Sequence, residues 1–143
     1  MTLRHAFLAL VLACAAGGAS AQSTDDTLYR DLGGQPGLVA LMDDLMVRLL
    51  ADARMNAFFK DSDQKHVKEQ LVIQFCQVSG GPCQLAKPDM KKAHGGMDIR
   101  RGDFNRLVEV LQQSMDAQGI PFRTQNRLLA KLAPMHRDIV NTP

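Results

Sequence analysis

Between residues 36 and 49 the apolar side chains return at steps of three and four: Leu38, Leu41, Met42, Leu45, Met46 and Leu49. With 3.6 residues to a turn, that spacing gathers them on one face of a helix. Pro36 opens this helix in its first turn, where the missing N–H costs nothing. Gly33-Gly34 breaks it from a short first helix that Ser23 to Asp26 cap and that ends near Asp31. Phe58-Phe59 comes next, in a short turn. The same period predicts a third helix over about 64–78, with Val67, Leu71, Phe75 and Val78 on one stripe. It predicts another over 103–118, with Phe104, Leu107, Val108, Val110, Leu111 and Met115 inside. The last runs over 124–140 through Leu128, Leu129, Leu132 and Ile139, and Pro134 should kink it. A shorter helix starts at Pro88-Asp89 and carries Met90, Ala93 and His94. Gly95-Gly96 stops it, with Gly95 expected as the left-handed cap. No alternation of period two persists anywhere, so the chain reads as all-α.

The helices between Phe59 and Asp103 are short and their corners are tight, with Gly80-Gly81-Pro82 among them. A plain up-and-down bundle prefers long helices of matched length. Short, steeply crossing ones are better suited to enclosing a cavity.

The amino terminus has a different pattern. Arg4 and His5 precede an apolar run, Ala6 to Ala16, too short to span a bilayer comfortably. It ends in Ala19-Ser20-Ala21, the small-x-small pattern of signal-peptidase cleavage. Residues 1–21 are therefore read as a secretory signal peptide, and 22–143 as one small domain in the periplasm. The rival reading anchors a lipoprotein at Cys14, within Val11-Leu12-Ala13-Cys14.

Charge adds mainly exclusions. The whole chain carries a formal net charge of +2, acids and bases are mixed, and no basic stripe with interleaved aromatics points to nucleic acid. No second apolar run is long enough to span a membrane. Beyond the leader two cysteines remain, Cys76 and Cys83, in CQVSGGPC. In an oxidising compartment such neighbours tend to pair, and the Gly-Gly-Pro turn brings their α-carbons within range. A structural disulfide is expected, with two free buried thiols as the alternative. The spacing is neither CxxC nor CxxCH, which argues against a thioredoxin-like redox pair and against covalent haem attachment.

Candidate chemistry centres on MKKAHGGMDI, residues 90–99. Lys91, Lys92 and His94 suit the last turn of a helix, where cations complement the free carbonyls. Met90, Met97 and Ile99 surround His94 with apolar side chains, and a neutral imidazole in an apolar cavity is a common ligand of haem iron. Phe59, Leu71, Phe75, Phe104 and Leu107 could supply the other walls. His66, in a polar stretch, is expected to face solvent, and His136 to hydrogen-bond at the surface. There is no HExxH motif, no acid pair near a histidine and no Gly-rich phosphate loop.

From Leu28 to Val140 the chain resembles the group I truncated haemoglobins. The resemblance rests on LYRDLGG, VALMDDLMVRLLADARMNAFF, GGP at 80–82, MKKAHGGMDI, DFNRLVEVL and LLAKLAPMHRDIV, in that order and spacing. It implies a two-over-two helical sandwich around haem b, with the iron held by a proximal histidine at the position of His94. Phe59 matches the haem-packing phenylalanine and Phe75 a haem-cavity aromatic. Where the family usually carries a distal tyrosine this chain has Met46, and its only tyrosine is Tyr29. The distal pocket then maps to Met46, Val67, Gln70, Leu71 and Gln74, with only the two glutamines able to donate to a ligand. Leu85 and Lys87 depart from a common tyrosine and a common glycine before the proximal helix.

The resemblance thus implies binding of a diatomic gas (O₂, NO or CO), in oxygen binding or transport or in NO detoxification. NO dioxygenase-like or peroxidase-like side activity would need a reductant that the sequence does not reveal. Two alternatives stand beside it: a haem-free helical adaptor, and a His/Met haem electron-transfer protein with the Met46 sulfur on the iron.

Overall fold

The computed structural model describes residues 25–84 and 89–143. The leader, Cys14, Leu85, Lys87 and Pro88 lie outside the described residues. Eight α-helices make up the described chain: α1 (Thr27–Asp31), α2 (Gly34–Ala51), α3 (Asn56–Phe59), α4 (Gln64–Val78), α5 (Met90–His94), α6 (Arg101–Ala117), α7 (Phe122–Leu132) and α8 (His136–Ile139). A 3₁₀ turn, Ala133–Met135, joins the last two. Among the described residues there is no strand, and no helix is long and apolar enough to cross a membrane.

The long helices form two layers. α2 packs against α4 and α6, and α7 packs against the same two. This is the expected two-over-two arrangement. The apolar face of α2 is buried along its length, at Leu38, Leu41, Met42, Leu45, Met46 and Leu49. Val110, Leu111 and Met115 of α6 and Leu128 of α7 close the core around most of it. Several of these side chains expose no surface at all, Leu38, Leu41, Leu49, Met115 and Leu128 among them. Burying a leucine or methionine side chain completely contributes roughly 1.5–3 kcal/mol, so this layer dominates the stability.

The corners depend on absent side chains. Gly33 adopts φ 84°, and a Cβ on Gly37 would stand 2.1 Å from the Leu32 carbonyl oxygen. A Cβ on Gly81 would stand 2.6 Å from both Cys76 Sγ and Tyr29 Cδ2. Tyr29 thus packs over the 80–81 corner, and its N–H donates to Ser79 O at 3.1 Å.

Two local expectations are corrected. The last helix is broken and not merely kinked: Pro134 offers no N–H, so the ladder tightens into the 3₁₀ turn before α8 resumes. At the end of α5 the left-handed glycine is Gly96, at φ 78°, while Gly95 is extended at φ −59°, ψ 132°. The chain leaves the helix one residue before it reverses.

Candidate functional site

Between these layers lies a cavity of about 740 Å³, within the ~300–1,000 Å³ usual for cofactor and ligand sites. Leu45 and Leu49 of α2 wall one side, Val67, Leu71 and Phe75 of α4 another, and Phe104, Leu107 and Leu111 of α6 a third. Phe58 and Phe59 enter from α3, while Leu132, Met135 and Ile139 come from the chain's last helical stretch. Met90, His94 and Met97 come from α5 and the turn after it. The lining is apolar and aromatic, with Ser62, His66 and Gln70 bringing polar groups.

His94 sits half-buried at this wall. Its Nδ1 lies 2.8 Å from the Met90 carbonyl oxygen one turn earlier. A carbonyl oxygen only accepts, so that contact places the proton on Nδ1 and leaves the Nε2 lone pair free. A ring oriented through its second nitrogen is how proteins commonly present a histidine to a metal. Asp89 starts α5 by accepting from the Lys92 N–H at 2.9 Å, as the N-cap position favours. Among the described residues no cluster of three or more His, Cys, Asp or Glu side chains could hold a bare metal ion.

Another part of the cavity wall is fixed by charge. Asp52, after α2, accepts from the backbone N–H groups of Arg54 (3.0 Å) and Met55 (2.9 Å) and from Arg106 Nε of α6 (2.8 Å). The Arg106 bond chiefly, then the Met55 N–H, holds its carboxyl below the ordinary value. Asp103 accepts from the Arg100 N–H at 2.8 Å and from Arg54 Nε at 2.6 Å, and these lower its carboxyl likewise. Together the two carboxylates tie the turn carrying Met55, Phe58 and Phe59 to the start of α6.

Every pocket residue expected from the sequence lines this cavity except Met46. Met46 is buried, but Leu45 and Leu49, one turn apart, face the cavity in its place. A step of one residue turns a helical side chain by about 100°, which carries Met46 off the wall. A sulfur ligand from that position to the iron therefore has no structural support. Gln74 is also reassigned: its Nε2 lies 3.0 Å from Met135 Sδ and 3.9 Å from Met90 Sδ, so its amide is turned to methionine sulfurs. His66 is exposed as expected yet borders the cavity. The His136 ring is half-buried edge-on against Phe104, with centroids 4.8 Å apart.

Met55, Phe58, Leu132, Met135 and Ile139 are wall residues that the sequence did not single out as such. Periodicity marked Leu132 and Ile139 as buried-face positions. It could not separate the core from the cavity.

A two-over-two helical sandwich around an apolar, aromatic-lined cavity is the architecture of a globin. The model of the bacterial-like globin family matches residues 27–141, and the chain belongs to that family, as a group I truncated haemoglobin. The chain is 28% identical over 113 residues to the group 1 truncated haemoglobin of Mycolicibacterium paratuberculosis, covering 79% of this chain and 83% of the relative. With that of Nostoc commune it is 27% identical over 115 residues, covering 80% and 98%. The ferric crystal structure of the Tetrahymena pyriformis truncated haemoglobin superposes with a TM-score of 0.76 at 25% identity, covering 80% of this chain and 98% of that one. The cofactor that goes with the family is haem with its iron, and its general function is haem-based gas binding. The cavity's size, its aromatic lining and the orientation of His94 all fit that group.

Proposed function

We propose that the protein reversibly binds a diatomic gas at a haem iron held by Nε2 of His94, as an exported protein working in the periplasm. The observation that carries this reading is the bond from His94 Nδ1 to the Met90 carbonyl, which fixes the tautomer and the ring in a wall of the cavity. Haem, when bound, supplies an iron whose open coordination position takes the gas. The chain's own residues do the rest: His94 holds the iron, Phe59, Phe75 and Phe104 pack the macrocycle, and the mostly apolar lining disfavours water around it. Absorption spectra of the mature protein test it. A Soret band is expected, and His94→Gly should alter it and let added imidazole restore it; a band indifferent to that substitution would overturn the assignment of His94.

The same wall bears on which gas is preferred. Leu45, Leu49, Val67 and Leu71 offer no donor, and the Gln74 amide is engaged with Met135. Of the two glutamines expected to donate, that leaves the exposed Gln70, and a missing bond to a polarised ligand forgoes about 1.5–3 kcal/mol. The pocket thus favours NO or CO, which need no such bond, over firm retention of O₂. A Gln70→Leu variant should change the O₂ dissociation rate less than about threefold. A much larger change would restore Gln70 as a distal donor.

Export is supported by the leader pattern and by the cysteines. The Cys76 and Cys83 sulfurs stand 2.00 Å apart with α-carbons at 5.9 Å, a pairing suited to an oxidising compartment. Thiol titration of the periplasmic protein with and without reductant tests both points together.

A further inference from the structure

The five residues of α5 bury no side chain. One turn of helix with so little packing cannot hold a histidine in place unaided. The turn after it is irregular as well: Gly95 is extended and Asp98 takes a left-handed φ of 52°. The support comes from the far end of the chain. Asn141 Nδ2 donates to the His94 carbonyl oxygen at 2.7 Å, and Asn141 Oδ1 accepts from the Ile99 N–H at 2.8 Å. The backbone N–H groups of Asn141 and Thr142 both donate to the Ile99 carbonyl, at 3.0 and 3.2 Å. Because one neighbour only accepts and the other only donates, the amide has a single orientation that satisfies both.

We propose that Asn141 is a positioning residue for His94, clasping the two ends of the 94–99 turn and so fixing the backbone from which the imidazole projects. This rests on the assignment of His94 as the iron ligand. The ring is held through Nδ1 by Met90 and the main chain through its carbonyl by Asn141, while α8, just before Asn141, packs on α5. Position and orientation of the imidazole are thereby set separately. The clasp also gives the His94 carbonyl a second, shorter donor beside the Met97 N–H, which lies at 3.3 Å.

The test compares Asn141→Ala and Asn141→Asp in the haem-loaded protein. Asp keeps the acceptor for Ile99 and removes the donor to His94. Three quantities are read: the rate of haem transfer to excess apomyoglobin, the iron–histidine stretching band in resonance Raman spectra of the ferrous protein, and hydrogen exchange at the Ile99 amide. Transfer should quicken about tenfold in both variants, in line with the effect of groups that orient metal-bound histidines. The band should shift or broaden in both, and Ile99 exchange should accelerate more in Asn141→Ala than in Asn141→Asp. Transfer within twofold of the parent together with an unmoved band in both variants would overturn the proposal. If Asn141→Ala fails to fold, Asn141→Asp decides by the same readings; failure of both to fold would mark a structural role and overturn it too. In a His94→Gly background supplied with imidazole the ligand is untethered, so Asn141→Ala should add nothing. If His94→Gly leaves the spectrum unchanged, the assignment of His94 has failed, and that outcome is distinct from failure of the clasp.

Discussion

Two sides of one cavity are built by different physics. On the α2–α4–α6 side, wall residues such as Leu45, Leu49 and Leu111 belong to the continuous buried core. On the α5 side no helical residue is fully buried; His94 donates through Nδ1 to the Met90 carbonyl, and its turn is held by Asn141, which donates to the His94 carbonyl and accepts from the Ile99 N–H. Hydrophobic packing is non-directional and scales with area. Hydrogen bonds fix angle and distance at modest net stability. The first suits a wall that must only be apolar, the second a side chain that must point one way.

Perturbing each side should therefore move different quantities. The largest effect is expected at the core: Leu128→Ala, at a position with no exposed surface, should cost about 2–5 kcal/mol in urea unfolding, with or without haem. Next, His94→Gly should weaken haem affinity by ~10²-fold, near 2.7 kcal/mol, while the urea midpoint of the haem-free protein stays put. A comparable fall in that midpoint would show that α5 carries stability after all. Opening the Cys76–Cys83 pair by Cys83→Ser should cost ~2–3 kcal/mol or less, given the short loop it closes, measured in the same assay against the oxidised parent, with the reduced parent expected to match the variant.

The smallest effect belongs to acid. Asp52 has its carboxyl lowered from the ordinary 3.8 by Arg106 and the Met55 N–H. Its ionised form is thus favoured by folding, so its contribution is complete above that ordinary value and fades as pH falls through the lower folded one. Asp52→Asn should flatten the fall in stability below about pH 4. An unchanged slope would remove Asp52 from the acid response.

Much of this contrast was legible in the chain, but unevenly. α4 runs over Gln64–Val78 as its stripe predicts, because a periodic apolar face and the Asp63 cap agree. The place of His94, Phe59, Phe75 and Phe104 on the cavity wall was also within reach, from the apolar residues around MKKAHGGMDI and from the helical stripes, with the family's order of motifs agreeing. Side-chain direction within a buried face was not: Leu45 and Met46 are both buried, and only the angle between α2 and its neighbours decides which one meets the cavity. The Asn141 clasp left no trace either, because its partner His94 lies 47 positions away and a lone asparagine near a helix end reads as ordinary turn chemistry. The Gln74–Met135 contact spans 61 positions and was hidden for the same reason.

The bare α-carbon at position 81 has its own lesson for anyone making a library of variants. With a Cβ there placed 2.6 Å from both the Cys76 sulfur and the Tyr29 ring, even alanine would have to displace a half-cystine, an aromatic ring, or both. Residue 81 is no part of the gas pocket, yet a saturation scan should find it among the least exchangeable positions. His66, at the cavity's edge but exposed, should accept many replacements. Tolerance to substitution in this protein tracks the space left for a side chain more closely than distance from the iron.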